Sequence, residues 1–145
     1  MNRILVIGDL LTDHYRFLRP LRSDPANNAA LVVESEREET VDGGAGNLVQ
    51  NLKSLCGEDV HFSYTGERFP IKIRYYVDGR FLLREDEDDS ITHDEKVIDE
   101  FVGLIEADDF VIISDYHKGT INQSDVVRII KRSREVDKLR SQPHP

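Results

Sequence analysis

The chain has little cysteine and no long apolar run. Cys56 is its one cysteine among 145 residues, which excludes an internal disulfide framework and fits a reducing compartment. No apolar stretch approaches the roughly 20 residues that a membrane-spanning helix needs. The apolar start at residues 4–7 is too short for the core of a signal peptide. We therefore expect a cytoplasmic protein without a membrane partner.

Positive charge is also scarce. The chain has 19 Lys and Arg against 28 Asp and Glu, a formal net charge of −9 at pH 7, so its overall field repels polyanions. Nucleic acid is therefore disfavoured as a partner. Although 32% of the residues are charged, the apolar residues fall in distinct clusters, and a chain of this length can bury one core. We expect a single domain over residues 1–145.

Two short apolar runs with β-branched residues predict strands that are buried on both faces. One covers residues 4–7 and ends at Gly8 and Asp9, and the other covers residues 110–113 and leads into a polar turn at 114–119. Helical segments lie between and after them, which indicates an α/β fold with parallel neighbours and an extra antiparallel piece. The last edge of the sheet is expected to lie open.

Three segments show apolar residues at helical spacing. The first begins at the glycine-rich residues 43–46 and is closed by Gly57, with Cys56 on its apolar stripe as a small core residue. The second begins in a capping box whose first residue is Thr92. The third covers residues 122–139. Its predicted inward residues are Val126, Val127, Ile129, Ile130 and Val136.

The remaining segments are polar or charged. Residues 14–28 show no period and are predicted as a loop. Residues 30–41 can form a strand but carry many charges, as expected of an exposed strand outside the main core. The alternation in residues 71–84, interrupted by Asp78 and Gly79, predicts a β-hairpin.

Polar residues follow both predicted core strands and precede one helix. They are Asp9 and Asp13 after the first strand, Gly43, Gly44 and Asn47 at the helix start, and Asp115 and Lys118 after the second strand. Open α/β sheets bind ligands outside the carboxyl ends of their strands, where helix amino termini also point. Carboxylates and an amide can bind hydroxyls, glycines let backbone N–H groups approach, and a lysine attracts phosphate. The pattern predicts a polyol or sugar-phosphate pocket.

Each of these clusters also has a purely structural explanation, as a turn, a loop-to-helix transition or a polar loop. Other ligand classes fit the sequence less well. Gly44-Ala45-Gly46 follows a charged strand and has Val49 in place of the third glycine of a dinucleotide fingerprint, and no G-x-x-x-x-G-K-[ST] loop is present. The five histidines show no metal-ligand spacing. No metal site is predicted.

Four motifs occur in a characteristic order. They are Gly8-Asp9-x-x-x-Asp13-x-Tyr15, Asp42-Gly43-Gly44-Ala45-Gly46-Asn47, a segment from Arg74 to Arg84-x-Asp86, and Ser114-Asp115-Tyr116-His117-Lys118-Gly119. This order resembles the ribokinase-like (PfkB) carbohydrate kinases, and within them the heptose-7-phosphate kinases of ADP-heptose synthesis. The resemblance covers most of the chain.

The resemblance implies a Rossmann-like ribokinase-type sheet flanked by helices, with a small antiparallel β lid from residues 30–41 and 71–84 over a sugar site. It implies that Asp9 and Asp13 bind sugar hydroxyls and that Gly43, Gly44 and Asn47 line the same pocket. Asp115 and Lys118 would complete the pocket near the phosphate of a sugar phosphate. A homodimer through the lid strands and the use of Mg-ATP are implied as well.

The chain also departs from the family pattern and predicts a truncated fold. Only residues 67–70 separate Gly66 from Ile71, where the family has a further helix and strand. The resemblance implies that the catalytic base, the anion hole and the ATP loops lie beyond Pro145, so this chain alone should bind Mg-ATP poorly and be a poor kinase.

Two hypotheses follow from this departure. The chain is the substrate-binding half of an ATP-dependent sugar-phosphate kinase, completed by further chain or by a C-terminal partner. Alternatively, it is a non-catalytic protein that binds a sugar phosphate or associates through its lid.

Overall fold

The structure is a computed structural model that describes residues 3–27, 29–57, 59–87 and 90–141. Two sheets and three helices are found within these ranges. The strands are β1 (Ile4–Gly8), β2 (Leu10–Ser23), β3 (Leu31–Gly44), β4 (Val60–Ser63), β5 (Ile71–Val77), β6 (Arg80–Glu87) and β7 (Phe110–Ser114). The helices are α1 (Ala45–Cys56), α2 (Glu95–Leu104) and α3 (Gln123–Ser141). The predicted α/β class is confirmed.

The core sheet is parallel, with the strand order β4-β1-β7. Leu5, Val6 and Ile7 of the central strand are at most 1% exposed, so the first predicted core strand is confirmed. The second, β7, is also present and packs on both faces, through Val111 and Ile113 on one and Ile112 on the other, although Phe110 at its start is 61% exposed. Among the described strands β7 has one neighbour, as the expected open edge requires. β4 was not predicted because it has only four residues and includes His61.

Helices cover the core sheet on both faces. α2 and α3 pack against Leu5 and Ile7 on one face, and α1 packs through Val49 against Val6 and Val60 on the other. Alternate residues of β1 therefore contribute to two separate hydrophobic clusters, as the period of two of a buried strand requires. Among the helices that the structure describes, none has the length and apolar character to cross a membrane.

The second sheet has the order β3-β2-β5-β6. Its outer pairs are antiparallel, whereas β2 and β5 run parallel, so the lid is mixed and not antiparallel throughout as predicted. Strands β3, β5 and β6 cover the segments 30–41 and 71–84, to which the resemblance assigns the lid, and we call this second sheet the lid. The hairpin turn has Asp78 at φ 48° and Gly79 at φ 74°, the positive values that a tight two-residue turn needs.

The loop predicted at residues 14–28 was wrong, because β2 occupies this region up to Ser23. The central residues of β2 are all partly exposed, and a strand with solvent on both sides shows no apolar alternation. Pro20 lies at an irregularity of the β2–β3 pairing. The pairing of β2 with β5 already ends at Leu18. The missing N–H of Pro20 therefore removes no hydrogen bond between β2 and β5. Asn28 lies outside the described residues.

The helix predictions are confirmed in position but need three corrections. Cys56 is exposed, since α1 buries its first turns through Ala45, Gly46 and Val49. The amino-terminal cap of α2 is Asp94, whose carboxylate accepts from Lys96 N at 2.9 Å, and not Thr92. Val127 and Ile130 of α3 are 60% and 42% exposed and do not face inward, because α3 packs on the core through one stripe that includes Ile129 and Val136.

Candidate functional site

The three predicted turns meet at Asp9. The backbone N–H of Asp9 donates to Ser114 O at 3.1 Å, and the N–H of Ala45 donates to Asp9 O at 2.9 Å. The turns after β1, before α1 and after β7 therefore share one place at the carboxyl end of the core sheet.

The carboxylate of Asp9 is enclosed by the loop that follows β7. Its Oδ2 accepts the N–H groups of Tyr116 at 2.7 Å and Lys118 at 3.1 Å, and its Oδ1 accepts that of Thr120 at 3.0 Å. Asp9 is only 1% exposed. Hydrogen bonds to an ionised acceptor are about twice as strong as neutral ones. Asp9 thus fixes the path of residues 116–120.

Two glycines let the lid approach this point. An ideal Cβ at Gly43 would lie 2.5 Å from Oδ2 of Asp13, and one at Gly44 would lie 2.5 Å from the carbonyl oxygen of Asp9. Gly44 also has φ 58°, a conformation that favours glycine. Asn47 follows in the first turn of α1, where it is exposed. The absence of side chains at Gly43 and Gly44 thus lets the end of β3 lie directly against Asp13 and Asp9.

Asp13 stands on the lid and not on the core sheet. Its carboxylate is 19% exposed and pairs with the guanidinium of Arg74 on β5. The hydrogen bond to Asp13 raises the pKa of Arg74 above its usual value, which keeps this group charged. The Arg74 guanidinium also lies 5.4 Å from the ring centroid of Tyr15. The pair presents a carboxylate and its counter-charge at the rim of the site.

The loop after β7 carries the other predicted site residues. Asp115 is exposed and accepts the N–H of His117 at 2.7 Å, which helps to hold His117 at φ 58°. Lys118 is half-buried. Tyr116 reaches the lid, since Nζ of Lys72 lies 6.0 Å from the centroid of its ring. The structure therefore joins Asp9, Asp13, Gly43, Gly44 and the backbone of Lys118 through direct contacts, whereas the contact described for Asp115 lies within its own loop.

Lys72, Arg74 and Tyr116 were not among the predicted site residues. Both basic residues alternate with Ile71 and Ile73 along β5, which places them on one face of the lid. The alternation is visible in the sequence. Only the strand order of the folded sheet shows that β5 lies beside Asp13 on β2.

One group of side chains brings metal-ligand atoms together among the described residues. Ligand atoms of His93, Glu95 and Asp125 lie within 4.8 Å of one another. Oδ2 of Asp125 accepts the N–H of Asn122 and faces Nε2 of His93, both at 2.9 Å. Arg128 pairs with Glu95, and its Nη1 lies 3.7 Å from Oδ1 of Asp125. Because Asp125 accepts the N–H of Asn122 and Oδ1 of Asn122 accepts the N–H of Asp125 at 3.1 Å, we assign the group to capping of α3. A cavity of about 510 Å³ lies beside it.

Solved structures share this fold at low sequence identity. A Staphylococcus aureus structure, provisionally described as a phosphofructokinase, superposes with a TM-score of 0.64 at 13% identity, over 92% of this chain and 50% of that one. Phosphofructokinase-2 from Escherichia coli, in complex with substrates and products, superposes with a TM-score of 0.53 at 12% identity, over 93% and 52%. The fold is that of the PfkB-type kinases.

Curated relatives agree with this class. The bifunctional protein HldE of a Nitratiruptor species is 31% identical in an alignment of 161 positions, gaps included, which covers 90% of this chain and 34% of the relative. HldE of Methylococcus capsulatus is 31% identical in an alignment of 149 positions, which covers 83% of this chain and 31% of the relative. The chain spans about a third of the length of these relatives. No family model matches the chain. The chain is a relative of the ribokinase-like carbohydrate kinases.

Proposed function

We propose that the chain binds a sugar phosphate between its lid and the carboxyl ends of its core strands. In this proposal it is the substrate-binding half of an ATP-dependent sugar-phosphate kinase of the heptose-7-phosphate type. The observation that carries the proposal is the convergence of three separate turns at Asp9. A merely structural explanation of each turn gives no reason for all three to meet beneath a lid.

The residues take different parts in this proposal. Asp13 binds sugar hydroxyls, since its carboxylate is partly exposed at the rim. The backbone at Gly43 and Gly44 and the amide of Asn47 line the same pocket, and Lys118 with Asp115 lies toward the phosphate. The resemblance implies direct contact between Asp9 and the sugar. The burial of its carboxylate under three amides favours an indirect role, through the loop that it holds.

Mg-ATP, which the family implies, does not fit the described residues. Their one group of converging metal-ligand side chains caps α3 and is already paired with Arg128, and the sequence has no phosphate-binding loop of the G-x-x-x-x-G-K-[ST] form. We therefore assign no phosphoryl-transfer step to this chain alone. In this proposal, the ATP site belongs to the part of the kinase that the relatives have outside the region aligned with this chain.

A C-terminal partner or further chain has a surface to dock on. Among the described strands, β7 has one neighbour in the core sheet, and Phe110 at its start is 61% exposed. The outward side of α3 presents Val127 and Ile130, which are 60% and 42% exposed. We propose that the remaining part of the kinase adds to this edge and covers this side of α3, since an edge strand offers unpaired backbone groups to another strand and exposed apolar residues favour a protein contact.

Isothermal titration calorimetry tests the binding proposal. We expect the chain to bind a heptose 7-phosphate or a hexose 6-phosphate, and Asp13→Ala and Lys118→Ala to weaken that binding about tenfold each, the usual loss for one charged contact. Asp137→Ala is the matched control, because Asp137 is exposed on α3 away from the lid. Unchanged affinity in both site variants would remove the pocket assignment. Sugar-phosphate-dependent ATP consumption by this chain alone would show that the donor site had been misplaced.

A second candidate function is that of a non-catalytic protein that associates through its lid. The lid exposes several large apolar side chains, which favours a protein contact there. They are Leu31, Val41, Phe81, Leu82 and Leu83, between 47% and 57% exposed. Sedimentation equilibrium tests this candidate: a homodimer that Phe81→Ser dissociates would support it, and a monomer at all concentrations would contradict it.

A further inference from the structure

The group of side chains at the start of α3 carries more negative charge than its cation balances. Arg128 pairs with Glu95 and with Asp99, and its Nη1 lies 3.7 Å from Oδ1 of Asp125. One guanidinium thus faces three carboxylates, an excess of two negative charges. His93 adds a ring nitrogen to the same group. Such an excess attracts a divalent cation.

Asp125 is the buried member of this group. Its side chain is 1% exposed, and its Oδ2 accepts the N–H of Asn122 and faces His93. Its Oδ1 accepts no hydrogen bond from the described residues, since the distance of 3.7 Å to Arg128 is too long for one. Buried polar atoms are normally hydrogen-bonded. Capping of α3 therefore leaves one carboxylate oxygen without a donor, and that oxygen is turned toward the guanidinium with which Glu95 pairs.

The donor atoms lie close enough together to share one metal ion. Nε2 of His93 and Oδ2 of Asp125 are 2.9 Å apart, and ligand atoms of these two residues and Glu95 all lie within 4.8 Å of one another. Donors bound to one zinc ion at about 2.0–2.2 Å lie roughly 3–3.5 Å from each other. The side chain of Glu95 is 61% exposed, so rotation of this side chain can complete the set.

The donor set also indicates the kind of metal. An imidazole nitrogen with two carboxylates suits Zn²⁺ and other divalent transition metals, whereas Mg²⁺ takes oxygen ligands and keeps several waters. This distinguishes the group from a Mg²⁺–nucleotide site. Zinc with three protein ligands also binds a water molecule, and the cavity of about 510 Å³ that His93 lines gives water access.

We propose that His93, Glu95 and Asp125 bind a divalent transition-metal ion, with Zn²⁺ as its representative. The ion joins the start of α2, where Glu95 lies, to the first turn of α3, where Asp125 lies. Arg128 keeps Asp99 as its partner when the metal takes Glu95. The site is separate from the proposed sugar-phosphate pocket and does not depend on it.

Calorimetry of the full chain with zinc chloride tests the proposal. We expect one saturable site, and a Kd about tenfold higher or more in His93→Ala and in Asp125→Asn, because each variant removes one ligand. Asp125→Asn keeps an oxygen for the N–H of Asn122, so the cap of α3 is retained. His61→Ala is the matched control, since His61 is exposed on β4, and should change the Kd less than about twofold. Mg²⁺ should bind about tenfold more weakly than Zn²⁺, or less tightly still.

Arg128→Ala separates a metal site from a group that only caps α3. Because the guanidinium competes with the metal for the carboxylates, its removal should lower the Kd for Zn²⁺ several-fold. Circular dichroism checks the fold of each variant, and if Asp125→Asn does not fold, His93→Ala and Arg128→Ala decide. No saturable Zn²⁺ binding, equal affinity in wild type and His93→Ala, or weaker binding in Arg128→Ala would overturn the proposal.

Discussion

Three backbone amides more than 100 residues away in sequence donate to the carboxylate of Asp9. An amide that donates to an ionised acceptor stabilises a fold by about 1.5–3 kcal/mol, and a buried partner left unpaired costs a similar amount. Asp9 therefore contributes to stability and to the shape of the site at once. Because all three donors lie within residues 116–120, the path of this segment depends on one side chain.

Asp9→Asn tests this dependence. The substitution replaces one carboxylate oxygen by an NH₂ group that faces backbone N–H donors, so we expect a loss of about 2–4 kcal/mol in the free energy of unfolding. Urea denaturation measures it. Asp137→Asn, an exposed aspartate on α3, should stay within about 0.5 kcal/mol of wild type. Equal stability of the two variants would show that Asp9 does not anchor the loop.

The second residue-scale prediction concerns Asp109, just before β7. Nε and Nη2 of Arg3 donate to its two carboxylate oxygens at 3.1 and 2.7 Å, and this hydrogen bonding lowers the pKa of Asp109 below its usual value. A carboxyl whose pKa is lower in the folded state stabilises the fold above its unfolded pKa of about 3.9 and ceases to do so as the pH falls through the folded value.

The free energy of unfolding of Asp109→Asn should therefore lie below that of wild type at pH 7, and the difference should shrink as the pH falls below about 4. Chemical denaturation at a series of pH values from 7 to about 3 measures the difference. A difference that stays constant over this range would mean that ionisation of Asp109 contributes nothing.

At this scale the sequence identifies residue types but not their partners. Asp13 and Lys118 stand in polar segments that follow strands, which makes them candidate site residues from the sequence. The pairing of Asp13 with Arg74 could not be predicted, because it depends on the parallel register of β2 and β5, two strands about 60 residues apart. The contact of Asp125 with His93 likewise could not be predicted, because it depends on the folded position of a residue 32 positions earlier.

At the scale of elements, the junction of β3 and α1 requires a glycine, Gly44, for both its backbone angle and the space around it. Gly44 combines φ 58° with a Cβ position only 2.5 Å from Asp9 O. We expect Gly44→Ala to lower the free energy of unfolding by about 2 kcal/mol or more, since both the backbone and the contact become strained.

Gly103→Ala is the matched control for this prediction. Gly103 lies within α2, and an added Cβ there meets nothing within 4 Å. We expect this substitution to raise the free energy of unfolding by about 0.5–1 kcal/mol, because alanine is the better helix former. Thermal denaturation of both variants measures the two changes in the free energy of unfolding. A stable Gly44→Ala variant would contradict the close approach of lid and core.

Which elements could be predicted follows from their burial. β1 was predictable because both of its faces pack on the core, which leaves an unbroken apolar run, and the helices because one side of each does, which leaves a periodic apolar pattern. β2 was not, because it lies in a sheet exposed on both sides and alternates charged and aromatic residues. β3 was predictable in spite of its charges because its β-branched residues Val32 and Val33 stand at its start.

On the scale of the whole molecule, two exposed features belong to the core layer. Among the described strands, β7 has one neighbour in the core sheet, and α3 exposes Val127 and Ile130 on its outward side. The docking surface proposed above depends on this orientation of α3.

Serine substitutions test the orientation of α3. Val127→Ser together with Ile130→Ser should leave the stability of the chain within about 0.5 kcal/mol, because both side chains are exposed. Ile129→Ser, one residue away on the buried side, should cost about 3 kcal/mol or more, since it leaves a cavity and a buried hydroxyl. Urea denaturation compares them. The reverse order of losses would mean that α3 packs through the other side.

The central claim is that three turns and the lid enclose one sugar-phosphate pocket, and a ¹⁵N NMR titration with a heptose 7-phosphate tests it most directly. The account predicts saturable shifts of backbone amides concentrated in residues 9–13, 42–47 and 115–120 and around Lys72. The absence of saturable shifts, or shifts centred on the cavity beside His93, would contradict it.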